Sequence, residues 1–304
     1  MKSNDFYTLE NICLLNFKAS DSYYHLHTQE NHPVFINNDD DYKSVMNSIA
    51  FASFLFPSIK IYTFEVLSNH MHFSVAGDMD EINKWFRTLK VKMSQTLASP
   101  GQTDAISSLH MSCHHICDLE NLRNVIAYNN KNGSKVVPES TPFSYPWGAN
   151  RYYFNPEAKL RYNAMKKTLS VREKRTIIHS GRLDSANGIY IVDGYISPMC
   201  FCHIDEGESF FRNARQYFYK LSKNLEADRV IAASIGESLY YTDDDLFITV
   251  SAICANKYGG KPASALSISE KISMAKTLHF DYNANKKQIC RLLKMDLSII
   301  AELF

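Results

Sequence analysis

"KIYTFEVLSNHMHFSVAG" (Lys60–Gly77) decides the fold. Two runs rich in β-branched and aromatic residues flank Ser68 and Asn69, a pair suited to a tight turn. The stretch therefore predicts two adjacent antiparallel strands. Upstream, "NNDDDYKSVMNSIAFASFLF" opens on Asn and Asp, which cap a helix and favour its positive end. Its Tyr42, Val45, Ile49, Ala52 and Phe56 keep helical spacing. Before it, "SYYHLHTQ" (Ser22–Gln29) reads as a strand. Downstream come the amphipathic helix "DEINKWFRTLKVKMSQTL", the strand "LHMSCHHIC" and the helix "DLENLRNVIAYNNKNG". Asp118 is placed to cap that last helix and Gly133 to end it. The order strand, helix, strand, strand, helix, strand, helix predicts an α+β domain over residues 1–150: a ferredoxin-like antiparallel sheet with packed helices.

Two further regions are expected. Residues 151–225 read as a basic linker and small middle module. Between Arg151 and Arg182 stand nine Lys or Arg against two Glu, a local excess of seven positive charges. That run reads either as a solvated helix and loop or as a phosphate-contacting linker. "IYIVDGYISP" predicts a hairpin and "ESFFRNARQYFYKLSKNL" a helix. Residues 226–304 read as a helical bundle. Ile268, Ile272, Ala275 and Leu278 share one face, and Asn285 with Gln288 has capping-box spacing. The segment "KKQICRLL" gives the bundle a helix-turn-helix character, suited to DNA or, read plainly, to packing or a homodimer.

Composition excludes some classes. With 33 basic and 32 acidic side chains, no global charge draws the chain to nucleic acid or membrane, so any such face is local. Seven cysteines without a regular frame fit reduced thiols rather than a disulfide scaffold. The N-terminal stretch lacks signal-peptide character, and no run approaches the roughly 20 apolar residues of a membrane span. The expectation is a soluble, cytoplasmic protein without membrane partners.

The chemistry centres on histidines. Strand alternation sends Met71, Phe73 and Val75 to one face and His70, His72 and Ser74 to the other. Two imidazoles so spaced suit one divalent cation. His25 and His27 form an equivalent pair, and spacing alone does not separate the two. Context favours His70 and His72, which follow Asn69 and a turn. On the "VIAYNNKNG" helix, Tyr128 and Asn132 lie one turn apart and are expected to project together from a polar face. Glu65, on the neighbouring strand, is a candidate accessory ligand or base. Cys113, His115 and Cys117, with "CFCH" (Cys200–His203), form an alternative zinc set whose spacings match no standard module. His110 and His114 could line the face of the metal pair.

Together, "SNHMHF" and "AYNNKN" resemble the HUH single-tyrosine transposases, most closely the REP-associated tyrosine transposases. The resemblance covers residues 20–150. The chain carries Asn129 and Gly133 where the family pattern has Ile and Pro. The resemblance implies Mg²⁺ or Mn²⁺ held by His70, His72 and Asn132, and Tyr128 as nucleophile. The implied substrate is single-stranded or hairpin DNA, cut through a 5′-phosphotyrosine and rejoined. Its alternative is a relative that binds repeat hairpins without cutting. A ferredoxin-like metal protein unrelated to DNA is the third reading. Phosphate contacts would come from Lys84, Arg87, Lys90 and Lys92, from Arg151, Lys166, Lys167, Arg172, Lys174 and Arg175, and from Lys286, Lys287 and Arg291. For any one of these residues a solvated face is the plain reading.

Overall fold

The computed structural model describes residues 17–18, 21–97, 99–136, 141–164, 169–222, 231, 241, 243–282 and 284–304. The chain divides into two compact units, Met1–Lys223 and Asn224–Phe304.

In the first unit, strands β1 (Tyr23–Thr28), β2 (Lys60–Val66), β3 (Met71–Ala76) and β4 (Met111–Ile116) form one sheet in the order β2-β3-β1-β4. Every neighbouring pair is antiparallel. Helix α1 (Asp39–Leu55) joins β1 to β2, and α2 (Met79–Thr96) with the short α3 (Pro100–Ser107) joins β3 to β4. Each of these crossovers leaves room for a strand between its two ends, which is the ferredoxin-like topology. Helix α4 (Leu119–Val136) follows β4.

Side-chain caps start the helices. Asn38 accepts from the Asp41 N–H at 3.0 Å, and Asp78 from those of Asp80 and Glu81 at 2.9 and 3.2 Å. Asp118 accepts from the Asn121 N–H at 2.7 Å. The expected end of α4 at Gly133 is corrected: the helix runs on to Val136, and the Gly133 N–H is held by Glu65 instead of forming a terminal cap.

The two sheet faces differ. Phe73 meets Trp85 of α2 edge-on, with centroids 5.0 Å apart, and stacks on Phe64 at 5.9 Å. Met71, Val75 and Leu26 are buried on this apolar face as well. Each such side chain contributes about 1.5–3 kcal/mol by leaving water. The opposite face is polar and is covered by α4.

Residues 151–222, read in sequence as a separate linker and module, pack into the first unit. They form α5 (Pro156–Ala164), α6 (Val171–Ile178), a hairpin of β5 (Ile191–Val192) and β6 (Tyr195–Ile196), α7 (Ile204–Ser209) and α8 (Ala214–Leu221). Asp193 and Gly194 both have positive φ, 54° and 87°, which the two-residue hairpin requires. Ile178, Leu183, Ile189 and Ile196 share a core with Ala50 and Phe51 of α1. Helix α8 packs on α4, and Lys220 reaches Glu120 and Asn124.

The second unit has α9 (Asp243–Lys257), α10 (Ile268–Tyr282), α11 (Lys286–Leu293) and α12 (Leu297–Leu303). The Asn285–Gln288 capping box forms, with bonds of 3.0 and 3.1 Å. Ile268, expected on the inner face, is 73% exposed; Met274, Ala275 and Leu278 carry the buried stripe of α10 instead. No helix of the described residues is long and apolar enough to cross a membrane.

Candidate metal centre

The polar sheet face is a floor of imidazoles. The pairing sets His27 opposite His72, and His25 opposite His114, so these four histidines come to the same face. His27 stacks on His72 at 6.3 Å, on His25 at 5.5 Å and on His114 at 5.7 Å, with ring planes within 22° of parallel. His72 belongs to this stack and also to a tighter group with His70, from which His25 and His27 are absent. The choice between two rival pairs therefore dissolves into a division of labour: His25 and His27 pack, and His70 and His72 converge.

The convergent group is Glu30, His70 and His72. Each offers a ligand atom within 4.8 Å of the other two, and it is the one such group of three among the described residues. A metal ion can bind here. His70 lies just before β3, not within it, so its ring meets His72 edge-on at 4.9 Å instead of following strand alternation. Asn69 organises both partners. Its Nδ2 donates to the main-chain carbonyls of Glu30 (2.5 Å) and His32 (3.1 Å), which fixes the turn after β1. Only the amide nitrogen can donate to carbonyls, so Oδ1 must face His70 Nδ1, 2.7 Å away. That contact puts the imidazole proton on Nδ1 and leaves Nε2 with its lone pair, the usual outer-shell control of a metal-binding histidine. Two imidazoles and one carboxylate make a donor set for a metal ion.

Helix α4 lies over this floor. Asn129 Nδ2 donates to Ser74 Oγ at 2.9 Å, Thr63 Oγ1 bonds Asn130 Oδ1, and the Gly133 N–H donates to Glu65 Oε2 at 2.6 Å. These bonds set Tyr128 against the histidines, with its ring perpendicular to that of His72 and centroids 6.3 Å apart. Asn132 stands one turn further along the same helix and is buried. The face of α4 that carries Tyr128 is turned inward. Tyr128 is 2% exposed, because the sheet takes one side of α4 and α8 the other. Glu65, also buried, lies opposite His72 and serves as an anchor for α4.

Several expected phosphate contacts have structural partners. Lys92 is buried, and its Nζ donates to the His179 carbonyl at 3.2 Å. Lys174 is buried and donates to the carbonyls of Asp184 (3.0 Å) and Ala186 (2.5 Å). Neither is the exposed cation that sequence implied, because the 151–222 segment folds over both. Lys90 Nζ bonds the carbonyls of Ser107 and Leu109, and Lys286 Nζ that of Phe304. Arg151 pairs with Asp193, Arg175 with Asp184 and Arg291 with Asp243. Lys84, Arg87, Arg172 and Lys287 are exposed. Lys166 and Lys167 lie outside the described residues.

The alternative zinc set does not assemble among the described residues. His115 packs on Tyr24 at 5.4 Å, on the sheet face away from His25 and His27, and Cys200 Sγ accepts from the Tyr190 N–H at 3.2 Å. Burial pushes the Cys113 thiol up to about 11, which keeps it protonated.

Comparison with protein-family models, with curated proteins and with solved structures finds no match to this chain. The fold and site define its class without a relative: a ferredoxin-like α+β unit with a His/Glu cluster able to hold a metal ion, followed by a helical unit.

Proposed function

We propose that this protein is a metal-dependent strand transferase acting on single-stranded DNA at hairpin-forming repeats, of the HUH single-tyrosine kind. The observation that carries the reading is the Tyr128 ring against His72, a member of the one convergent ligand group among the described residues. The phenol oxygen attacks phosphorus and forms the tyrosine–phosphate bond. The bond to the departing 3′ oxygen breaks, and that oxygen takes up the proton the phenol gives up. A divalent ion, Mg²⁺ or Mn²⁺, would be held by Glu30, His70 and His72, with Asn132 as a further oxygen donor from α4. When bound it supplies positive charge to the scissile phosphate. The reading carries a cytoplasmic location.

The test is a denaturing gel after incubation with single-stranded hairpin DNA and Mn²⁺. A covalent adduct that disappears in Tyr128→Phe is expected. The burial of Tyr128 favours a second reading, a protein that binds repeat hairpins and does not cut. Salt-sensitive hairpin binding with no adduct would select it.

A further inference from the structure

Lys92 is a buried cation that the proposed strand transfer does not use. It stands on α2, 3% exposed, on the side of the sheet away from the histidines. Its Nζ donates to the His179 carbonyl, its one hydrogen bond among the described residues, and lies 4.9 Å from the centroid of the Phe51 ring. No carboxylate pairs with it among the described residues. An ammonium carries three donors, and a buried charge without a counter-charge is costly. Burial alone accordingly lowers its pKa.

What the ammonium borders is a cavity. A space of about 230 Å³ opens where α1, α2, α6 and the β5–β6 turn meet, along the seam at which residues 151–222 dock on α1. Its wall includes Lys43, Ser44, Ser48, Lys92, Thr96 and Thr176. The four hydroxyls donate to carbonyls of their own helices, so the two ammonium groups give the lining its positive character. Asp40 also borders it, but its carboxylate is 89% exposed and bonded to Lys43 Nζ at 2.9 Å, so Lys92 keeps the uncompensated charge. The volume is below the roughly 300–1,000 Å³ of pockets for drug-sized ligands. It suits one small tetrahedral anion with a limited substituent.

From this seam we infer that the protein has an anion site, separate from the metal centre, that takes a phosphate group with Lys92 as its central charge. The group can belong to a free phosphate compound or to a nucleic-acid backbone. The inference does not depend on strand transfer, since the two sites lie on opposite faces of the sheet.

Calorimetric titration of the full chain with inorganic phosphate, at ionic strength held constant with chloride, tests it. One-to-one binding is expected, weakened by at least about tenfold in Lys92→Met, as loss of a charged hydrogen bond implies. Asn83→Ala, an exposed change on the same helix, should bind as the parent does. Thr176→Glu provides a second variant at an exposed wall position: it sets a carboxylate at the cavity and should abolish binding with the circular dichroism spectrum intact. Absence of phosphate binding by the parent chain would overturn the site, as would equal affinity in Lys92→Met or, if that variant does not fold, in Thr176→Glu. A single-stranded oligonucleotide without terminal phosphate then separates the sources. Displacement by phosphate assigns the site to a DNA backbone, and independent binding assigns it to a free phosphate compound; either result retains the site.

Discussion

The side-chain amide of Asn69 donates a 2.5 Å hydrogen bond to the main-chain carbonyl of Glu30, tying the turn after β1 to the turn before β3. With its oxygen on His70 Nδ1, the same amide both recruits a carboxylate and orients an imidazole. Asn69→Ala removes both effects and leaves the ligands themselves in place. Manganese affinity should fall by about 10–100-fold, the usual cost of losing an outer-shell partner. Calorimetric titration with Mn²⁺ reads this directly, and an unchanged affinity would show that Asn69 only shapes the turn.

The division of labour among the histidines leads to the second prediction. Glu30→Ala should weaken Mn²⁺ binding by at least about tenfold, since an outer-shell loss already costs that much. His25→Ala should leave it within about twofold, because His25 stacks on its neighbours and is not part of the convergent group. If the two variants exchanged roles, the site would lie deeper on the sheet floor.

Gly133 is read by two neighbours at once. Its N–H is bonded to Glu65, and a Cβ built there would land on the Tyr145 ring. Gly133→Ala must push that ring aside, at about 1–3 kcal/mol of overpacking. Gly133→Pro should cost more, because it also leaves the buried Glu65 carboxylate without this donor. Urea unfolding measures both; equal stability of the Ala variant would mean that Tyr145 has room to move.

These contacts mark where the sequence was readable. Period-two and helical patterns located the four strands and the helices around them, and Ser68–Asn69 fixed the hairpin that sets the topology. The pairing of Tyr128 with the His72 strand was visible because a tyrosine among asparagines departs from an apolar stripe. Glu30 was not visible. It sits in a turn without periodicity, and only the Asn69 amide, acting across 39 residues, brings it to His70. The burial of Tyr128 and Lys92 was equally hidden: Tyr128 lies against His72 of the sheet, and Lys92 is covered by the 151–222 segment, whose docking surface on α1 no local pattern announces.

The hold of that segment on α4 is sensitive to acid. The buried Lys220 ammonium on α8 bonds Glu120, whose side chain is 60% exposed, and Arg123 adds a second cation at 3.5 Å. Partial burial raises the Glu120 pKa, but the hydrogen bond and charge of Lys220, helped by Arg123, outweigh it and leave the carboxyl below its ordinary value of 4.5. A carboxyl lowered on folding adds stability above its unfolded pKa and loses it as pH falls through the folded one. Glu120→Gln keeps an acceptor for Lys220 and removes only the charge. Its destabilisation should be under about 1 kcal/mol, given the solvent exposure. It should be constant from neutral pH down to about pH 5 and then shrink toward zero in more acid solution, as Glu120 of the parent takes up its proton. Urea unfolding followed by tryptophan fluorescence across this range gives the difference at each pH. A difference that persisted or grew in acid would mean that Lys220 docks α8 through Asn124 and packing, with no contribution from the charge of Glu120.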